Sequence, residues 1–263
     1  MKSVKLSFAV ALVLAAMPLA SFAQEATTEA PAAEEESSFP LSATFAVTSD
    51  YVFRGVSQTG GDPAFQAGVT YSAPFGLYAG VWGSNVDFEV DDREAGIRGP
   101  NFEWDYFVGW NKDLSDAWNL DLGATRYTYT DDSTGFGNGN YNEYIAKLTW
   151  SGPVTIGGIL AYADDYGNLD AKETYTGLSA SYDIGETGFN LGASTGYTSI
   201  EAADDGGRAD YFDGSVTVSK GFGPATATLG YYDTFGSDAD ELKDLPGDFY
   251  EDRIALTVTI AVP

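Results

Sequence analysis

The sequence predicts an all-β protein: a transmembrane antiparallel β-barrel of about twelve strands, with short periplasmic turns and longer extracellular loops. Three observations predict it. Hydrophobic residues recur at every second position, connections alternate between short and long, and aromatic residues gather at strand ends. Side chains of a strand point alternately to its two faces, so a period of two suits a half-buried strand and not a helix.

The first element, 41–54, places Leu41, Ala43, Phe45, Val47, Ser49, Tyr51 and Phe53 on one parity, against Ser42, Thr44, Ala46, Thr48, Asp50, Val52 and Arg54 on the other. One face suits lipid and the other water. A long connection, Gly55 to Pro63, leads to strand 64–73, and the turn Pro74 to Gly76 leads to strand 77–86. The connection Asp87 to Pro100 precedes strand 101–111, and Lys112 to Ala117 turns into strand 118–130. Asp131 to Asn140 then precedes 141–150, and Ser151 to Pro153 turns into 154–163.

The same alternation continues to the C-terminal side. Asp164 to Glu173 precedes strand 174–183, Ile184 to Thr187 turns into 188–198, and Ser199 to Asp210 precedes 211–220. Gly221 to Pro224 turns into 225–234, and Phe235 to Asp248 precedes the last strand, 249–262. There Ile254, Leu256, Val258, Ile260 and Val262 face one way, while Ala255, Thr257, Thr259 and Ala261 face the other.

Several strands are 9–11 residues long, the length that crosses a bilayer core at a tilt. The short connections are rich in the Gly, Pro, Asp and Ser that turns require. Short and long connections must lie at opposite ends, as in outer-membrane barrels. Phe75, Trp110, Trp118, Trp150, Tyr182, Phe189 and Phe222 lie near the short turns. Tyr51, Phe53, Phe102, Tyr129, Tyr141, Tyr162, Tyr197, Tyr211 and Tyr250 lie near the long loops. Both sets are expected to form aromatic girdles at the membrane interfaces.

Residues 1–23 read as an export signal: Lys2 and Lys5, an apolar stretch from Leu6 to Leu19, and Ser21-Phe22-Ala23 as a cleavage site. Residues 24–38 read as an acidic tether, and 39–263 as the barrel domain. No later run of about 18 apolar residues suggests a transmembrane helix. The formal charge of −26 becomes −28 once the two signal lysines are removed. Nucleic acid is therefore a poor partner. Cys and His are both absent, which removes disulfides, thiol nucleophiles, the usual imidazole base and most zinc chemistry. No catalytic grouping, cofactor or metal site is expected, and the protein does not read as an enzyme.

If the apolar parity faces lipid, the other lines the interior with Asp50, Arg54, Gln66, Glu103, Asp105, Asn119, Asp121, Glu143, Lys147, Asn190, Asp213, Glu251 and Arg253. Ionisable groups are tolerable around a wet lumen, and acids outnumber bases. The expectation is a water-filled pore for small solutes with a weak preference for cations. The alternatives are a closed structural or adhesive barrel, with Arg54, Lys147 and Arg253 bridging the acids, and a soluble sandwich that buries its apolar faces. The pairs Asp91-Asp92, Asp131-Asp132, Asp164-Asp165 and Asp204-Asp205 read as a solvated loop surface, with divalent-cation bridging to lipopolysaccharide as the alternative.

The run Tyr51-Val52-Phe53-Arg54-Gly55-Val56-Ser57-Gln58 resembles the Y-x-F-R-G-x-S-Q signature of the TorF-type family of proteobacterial outer-membrane proteins. That family is treated as porin-like β-barrels of unassigned substrate. The resemblance implies a Gram-negative outer-membrane location, surrounded by lipid and lipopolysaccharide. Within it, Arg54 is expected to continue the lumen-facing parity of the first strand and to pair with an interior acid near the external rim, with Gly55 opening the first long loop. The chain departs from many outer-membrane barrels in ending Ala261-Val262-Pro263 rather than in an aromatic residue.

Overall fold

The computed structural model describes residues 40–88, 99–130, 139–202, 208–236, 238–245 and 247–263. The expected export signal, the tether and the pairs Asp91-Asp92, Asp131-Asp132 and Asp204-Asp205 lie outside the described residues.

Twelve strands close into one antiparallel barrel. They are β1 (Leu41–Thr48), β4 (Ala64–Ser72), β5 (Leu77–Asn85), β6 (Phe102–Ser115), β7 (Trp118–Thr130), β8 (Tyr141–Trp150), β9 (Thr155–Ala163), β10 (Ala171–Asp183), β11 (Phe189–Ala202), β12 (Arg208–Phe222), β13 (Ala225–Phe235) and β14 (Arg253–Val262). Two further strands, β2 (Val52–Phe53) and β3 (Val56–Ser57), form a separate ribbon. Consecutive barrel strands are neighbours, and β1 closes the ring. It pairs with β4 from Leu41↔Tyr71 to Thr48↔Ala64 and with β14 from Ala43↔Val262 to Thr48↔Thr257. Closure leaves no unpaired edge, the condition for a sheet to stand in hydrocarbon.

The wall is inside out relative to a soluble protein. Phe45, Val47, Phe65, Val108, Leu160, Leu178, Val216, Ile254, Leu256 and Val258 are exposed, whereas Glu103, Asp105, Glu143, Thr198, Asp213 and Thr234 are buried within the ring. A soluble sandwich would show the reverse, and an apolar belt on this scale is a lipid-facing surface. The alternation read from the sequence thus holds, with its apolar side outward.

Several boundaries differ from expectation. β1 stops at Thr48 instead of 54, because the Thr48 hydroxyl donates to the Asp50 carbonyl and the Ser57 and Thr59 hydroxyls donate to the Asp50 carboxylate, turning the chain inward. β14 starts at Arg253 instead of 249, because the Phe249 carbonyl is taken by the Ser57 amide. β6 runs on to Ser115, so only Asp116 and Ala117 separate it from β7. β10, β11 and β12 also extend beyond their expected long-loop ends.

The aromatic belts divide. At the short-turn end Phe75, Trp118, Tyr182, Phe189 and Phe222 are exposed as expected. At the long-loop end Tyr51, Phe53, Tyr129, Tyr141, Tyr211 and Tyr250 are buried inside, and Phe65, Trp104, Tyr106, Tyr144, Tyr162, Phe212 and Phe235 are among the exposed rings. For Tyr129, Tyr141 and Tyr211 the reason is parity: Tyr129 is in phase with Asp121 and Thr125, so it points inward whatever its height in the wall. Tyr51 and Phe53, expected on the lipid-facing parity, and Tyr250 lie outside the barrel strands, on connections that fold inward.

Candidate functional site

The signature run folds into the lumen as the β2–β3 ribbon. Val52 pairs with Ser57 and Phe53 with Val56, leaving Arg54 and Gly55 as a two-residue turn. Both have positive φ, 45° and 80°, the type I′ requirement. Glycine meets it without strain; an arginine there costs about 1–2 kcal/mol, so tertiary contacts must hold it.

At the base, Asp50 accepts from the Ser57 hydroxyl at 2.6 Å and the Thr59 hydroxyl at 3.1 Å, and pairs with Arg253 at 2.7 Å. Along the side, the Ser57 amide donates to the Phe249 carbonyl and the Asp87 amide to the Gln58 carbonyl. The loop carrying the short helix α1 (Ala239–Lys243) buries Leu242, Phe249 and Tyr250 beside it, with the Thr234 hydroxyl donating to the Tyr250 carbonyl. At the tip, a Cβ on Gly55 would lie 2.8 Å from Thr234 Cγ2 and 2.9 Å from Asp213 Cβ. The tip therefore touches the β12–β13 wall.

Arg54 completes the crossing. Its Nη1 donates to Glu173 Oε1 at 2.8 Å and its Nη2 to Glu143 Oε1 at 3.0 Å, while its guanidinium carbon lies 4.0 Å from the centre of the Tyr175 ring. Arg54 is 8% exposed, Glu143 0% and Glu173 1%. Burial works against the guanidinium charge, but the two carboxylates outweigh it and hold the Arg54 pKa well above its ordinary value. Around this pair Tyr127 stacks on Tyr141 at 4.6 Å, and Tyr166 meets Tyr141 edge-on at 4.8 Å. These buried groups narrow the lumen at this level.

The expected lining residues sort by height. Glu103, Asp105, Glu143 and Asp213 are buried on the inner wall at the level of the ribbon. Tyr51 lies close enough to Glu103 and Asp105 that, after burial itself, they push its phenol pKa up. Asp50 and Glu251 belong to connections, and Arg253 to the first position of β14. Gln66, Asp121 and Lys147 are half-buried on the inner parity, where Asp121 accepts from the Tyr78 hydroxyl at 2.7 Å. Asn119 pairs with Asn111 and Asp113 near the turn end, and Asn190 donates to Asp183. The Arg54 expectation needs correction: it does pair with interior acids, but from an inserted ribbon rather than from the parity of β1. Among the loop pairs, Asp165 accepts from the Asp170 amide within its own turn.

Sequence reasoning missed Glu173 and Tyr175 as site residues, placing Glu173 in a loop. The signal was present: positions 173, 175, 177, 179 and 181 keep one parity, and β10 starts at Ala171. Below the ribbon the inner face of β10–β13 changes character, to Gly177, Ser179, Gly192, Ser194, Ser215, Thr217, Thr226 and Thr228.

A family model described as "Bacterial protein of unknown function (Gcw_chp)" matches residues 32–261. No curated protein matches the chain. Among solved structures, a NanC porin is similar with a TM-score of 0.52 at 12% identity, over 85% of this chain and 99% of that one. A KdgM porin gives 0.51 at 5% identity over 84% and 99%, and the KdgM porin in complex with disordered oligogalacturonate gives 0.51 at 6% over the same shares. At these identities the likeness is one of fold.

Proposed function

We propose, for a chain that belongs to the bacterial Gcw_chp family of unknown function, that it is a porin of a Gram-negative outer membrane. It passes small hydrophilic solutes by passive diffusion, with a weak preference for cations. The apolar outer wall is in contact with membrane lipid, lipopolysaccharide surrounds the long-loop end, and the ribbon is the narrowest level of the path. The Tyr51–Gln58 run supports placing the chain with the TorF-type porin-like proteins.

One observation carries the reading: at the ribbon, carboxyl groups outnumber arginines. Asp50, Glu103, Asp105, Glu143, Glu173 and Asp213 are buried there against Arg54 and Arg253. An acid excess in a narrow passage favours counter-cations. It also disfavours polyanions such as the oligogalacturonate held by the KdgM porin.

Planar-bilayer recording of the purified protein tests this. Unitary steps with a reversal potential of cation sign in a salt gradient are expected. Absence of steps would leave a closed structural barrel, and an anion-signed potential would remove the charge argument.

A further inference from the structure

The contacts of Arg54 are those of a ligand. Two carboxylates approach from β8 and β10, one on each side of β9, and an aromatic ring lies beneath the guanidinium. Tyr175 is held in that pose by its hydroxyl, which donates to Asp213 Oδ1 at 3.5 Å. Carboxylates around a ring face bind a planar delocalised cation better than a compact ammonium.

Two features separate occupant from site. The occupant sits on a ribbon of two residue pairs, with the arginine at positive φ, while the carboxylates and ring belong to barrel strands. Leaving therefore costs ribbon docking and not the wall. The fit is also incomplete. Glu143 Oε2, Glu173 Oε2 and Arg54 Nε are buried and have no hydrogen-bond partner among the described residues. An untethered guanidinium can turn to use acceptors that the ribbon backbone keeps from Arg54.

We propose that Glu143, Glu173 and Tyr175 form a binding site for guanidinium-bearing cationic solutes, and that Arg54 occupies it as a tethered competitor. The site rests on the porin reading only in that solute reaches it through the lumen. Entry of such a solute displaces the ribbon tip and opens the narrowest level, so this class is favoured over other cations. Tethering places Arg54 at a high effective concentration, and weak or neutral solutes do not dislodge it.

The test is a binding measurement on folded barrel in detergent, independent of conductance. Ethylguanidinium chloride is titrated into the wild type, Arg54→Ala and Arg54→Gln, with sodium chloride, ethylammonium chloride and urea as controls, and thermal stability and heat are read. Both variants are expected to be stabilised by ethylguanidinium at about tenfold lower concentration than by ethylammonium. The wild type is expected to need about a hundredfold more ethylguanidinium. Adding Glu143→Gln to Arg54→Gln should abolish the response. Equal responses to ethylguanidinium and sodium chloride, or binding that survives Glu143→Gln, would overturn the proposal. Arg54→Gln keeps the side-chain length, so the test stands if the alanine variant fails to fold.

Discussion

Arg54 leaves the wall with β1 and ends 3.0 Å from Glu143, on the opposite side of the barrel. In the ring of twelve, β9 lies six strands from β1 in either direction, and Glu143 and Glu173 stand on its two neighbours. One side chain on one ribbon thus bridges the diameter. A wall of this strand number falls between barrels that side chains fill and barrels that stay open, so a single inserted loop decides which it is.

Arg54→Ala removes the bridge and leaves two buried carboxylates without their cation. Breaking a buried pair in this way costs about 3–5 kcal/mol of local stability, here the docking of the ribbon. Unitary conductance should rise above wild type, with more current noise, in a bilayer recording. An unchanged conductance would mean that the ribbon does not set the narrowest level.

Gly55→Ala keeps every charge and still prevents docking. Its Cβ would lie within 3.0 Å of Thr234, Asp213 and the Asp233 carbonyl, at a φ of 80°. The backbone alone costs about 1–2 kcal/mol, before any clash. The variant should reproduce the conductance of Arg54→Ala while keeping the wild-type charge. If it conducts like wild type, the tip is not packed against β12 and β13.

Glu103→Gln with Asp105→Asn lowers the acid excess without touching Arg54. The ratio of cation to anion permeability should fall by about twofold, read as a smaller reversal potential in a salt gradient. A shift toward greater cation preference would contradict the charge argument.

The direction of the wall has its own test. Leu256→Arg puts a charge on the lipid face and should destabilise the barrel in bilayers by about 2–4 kcal/mol, while Thr259→Arg, on the inner parity, should cost far less. Urea-unfolding midpoints in lipid vesicles report the difference. Equal penalties would mean that the outer face does not meet hydrocarbon.

Much of the wall is legible in the sequence because strand parity is local. Leu256 and Thr257 are adjacent, and their opposite fates follow from the pleat alone. The same rule, applied to Tyr129 and Tyr211, points them inward; treating them as girdle residues weighed their height over their phase. Glu173 was lost at a strand boundary, where three residues of extension, from 174 back to Ala171, moved it from loop to wall.

That Arg54 pairs with an interior acid was legible, but which acids it meets and by what path were not, and the separations explain why. Arg54 meets partners 89 and 119 residues away, and a loop has no period to announce where it goes. The sequence by itself determined a twelve-stranded wall, its greasy and wet faces, and its alternating short and long ends, because each depends on neighbours along or across adjacent strands. Only the tertiary structure decided that the first long loop folds inward and that its arginine spans to β8 and β10. That choice depends on ring closure, which brings remote acids to one level and sets the distance a ribbon must cross.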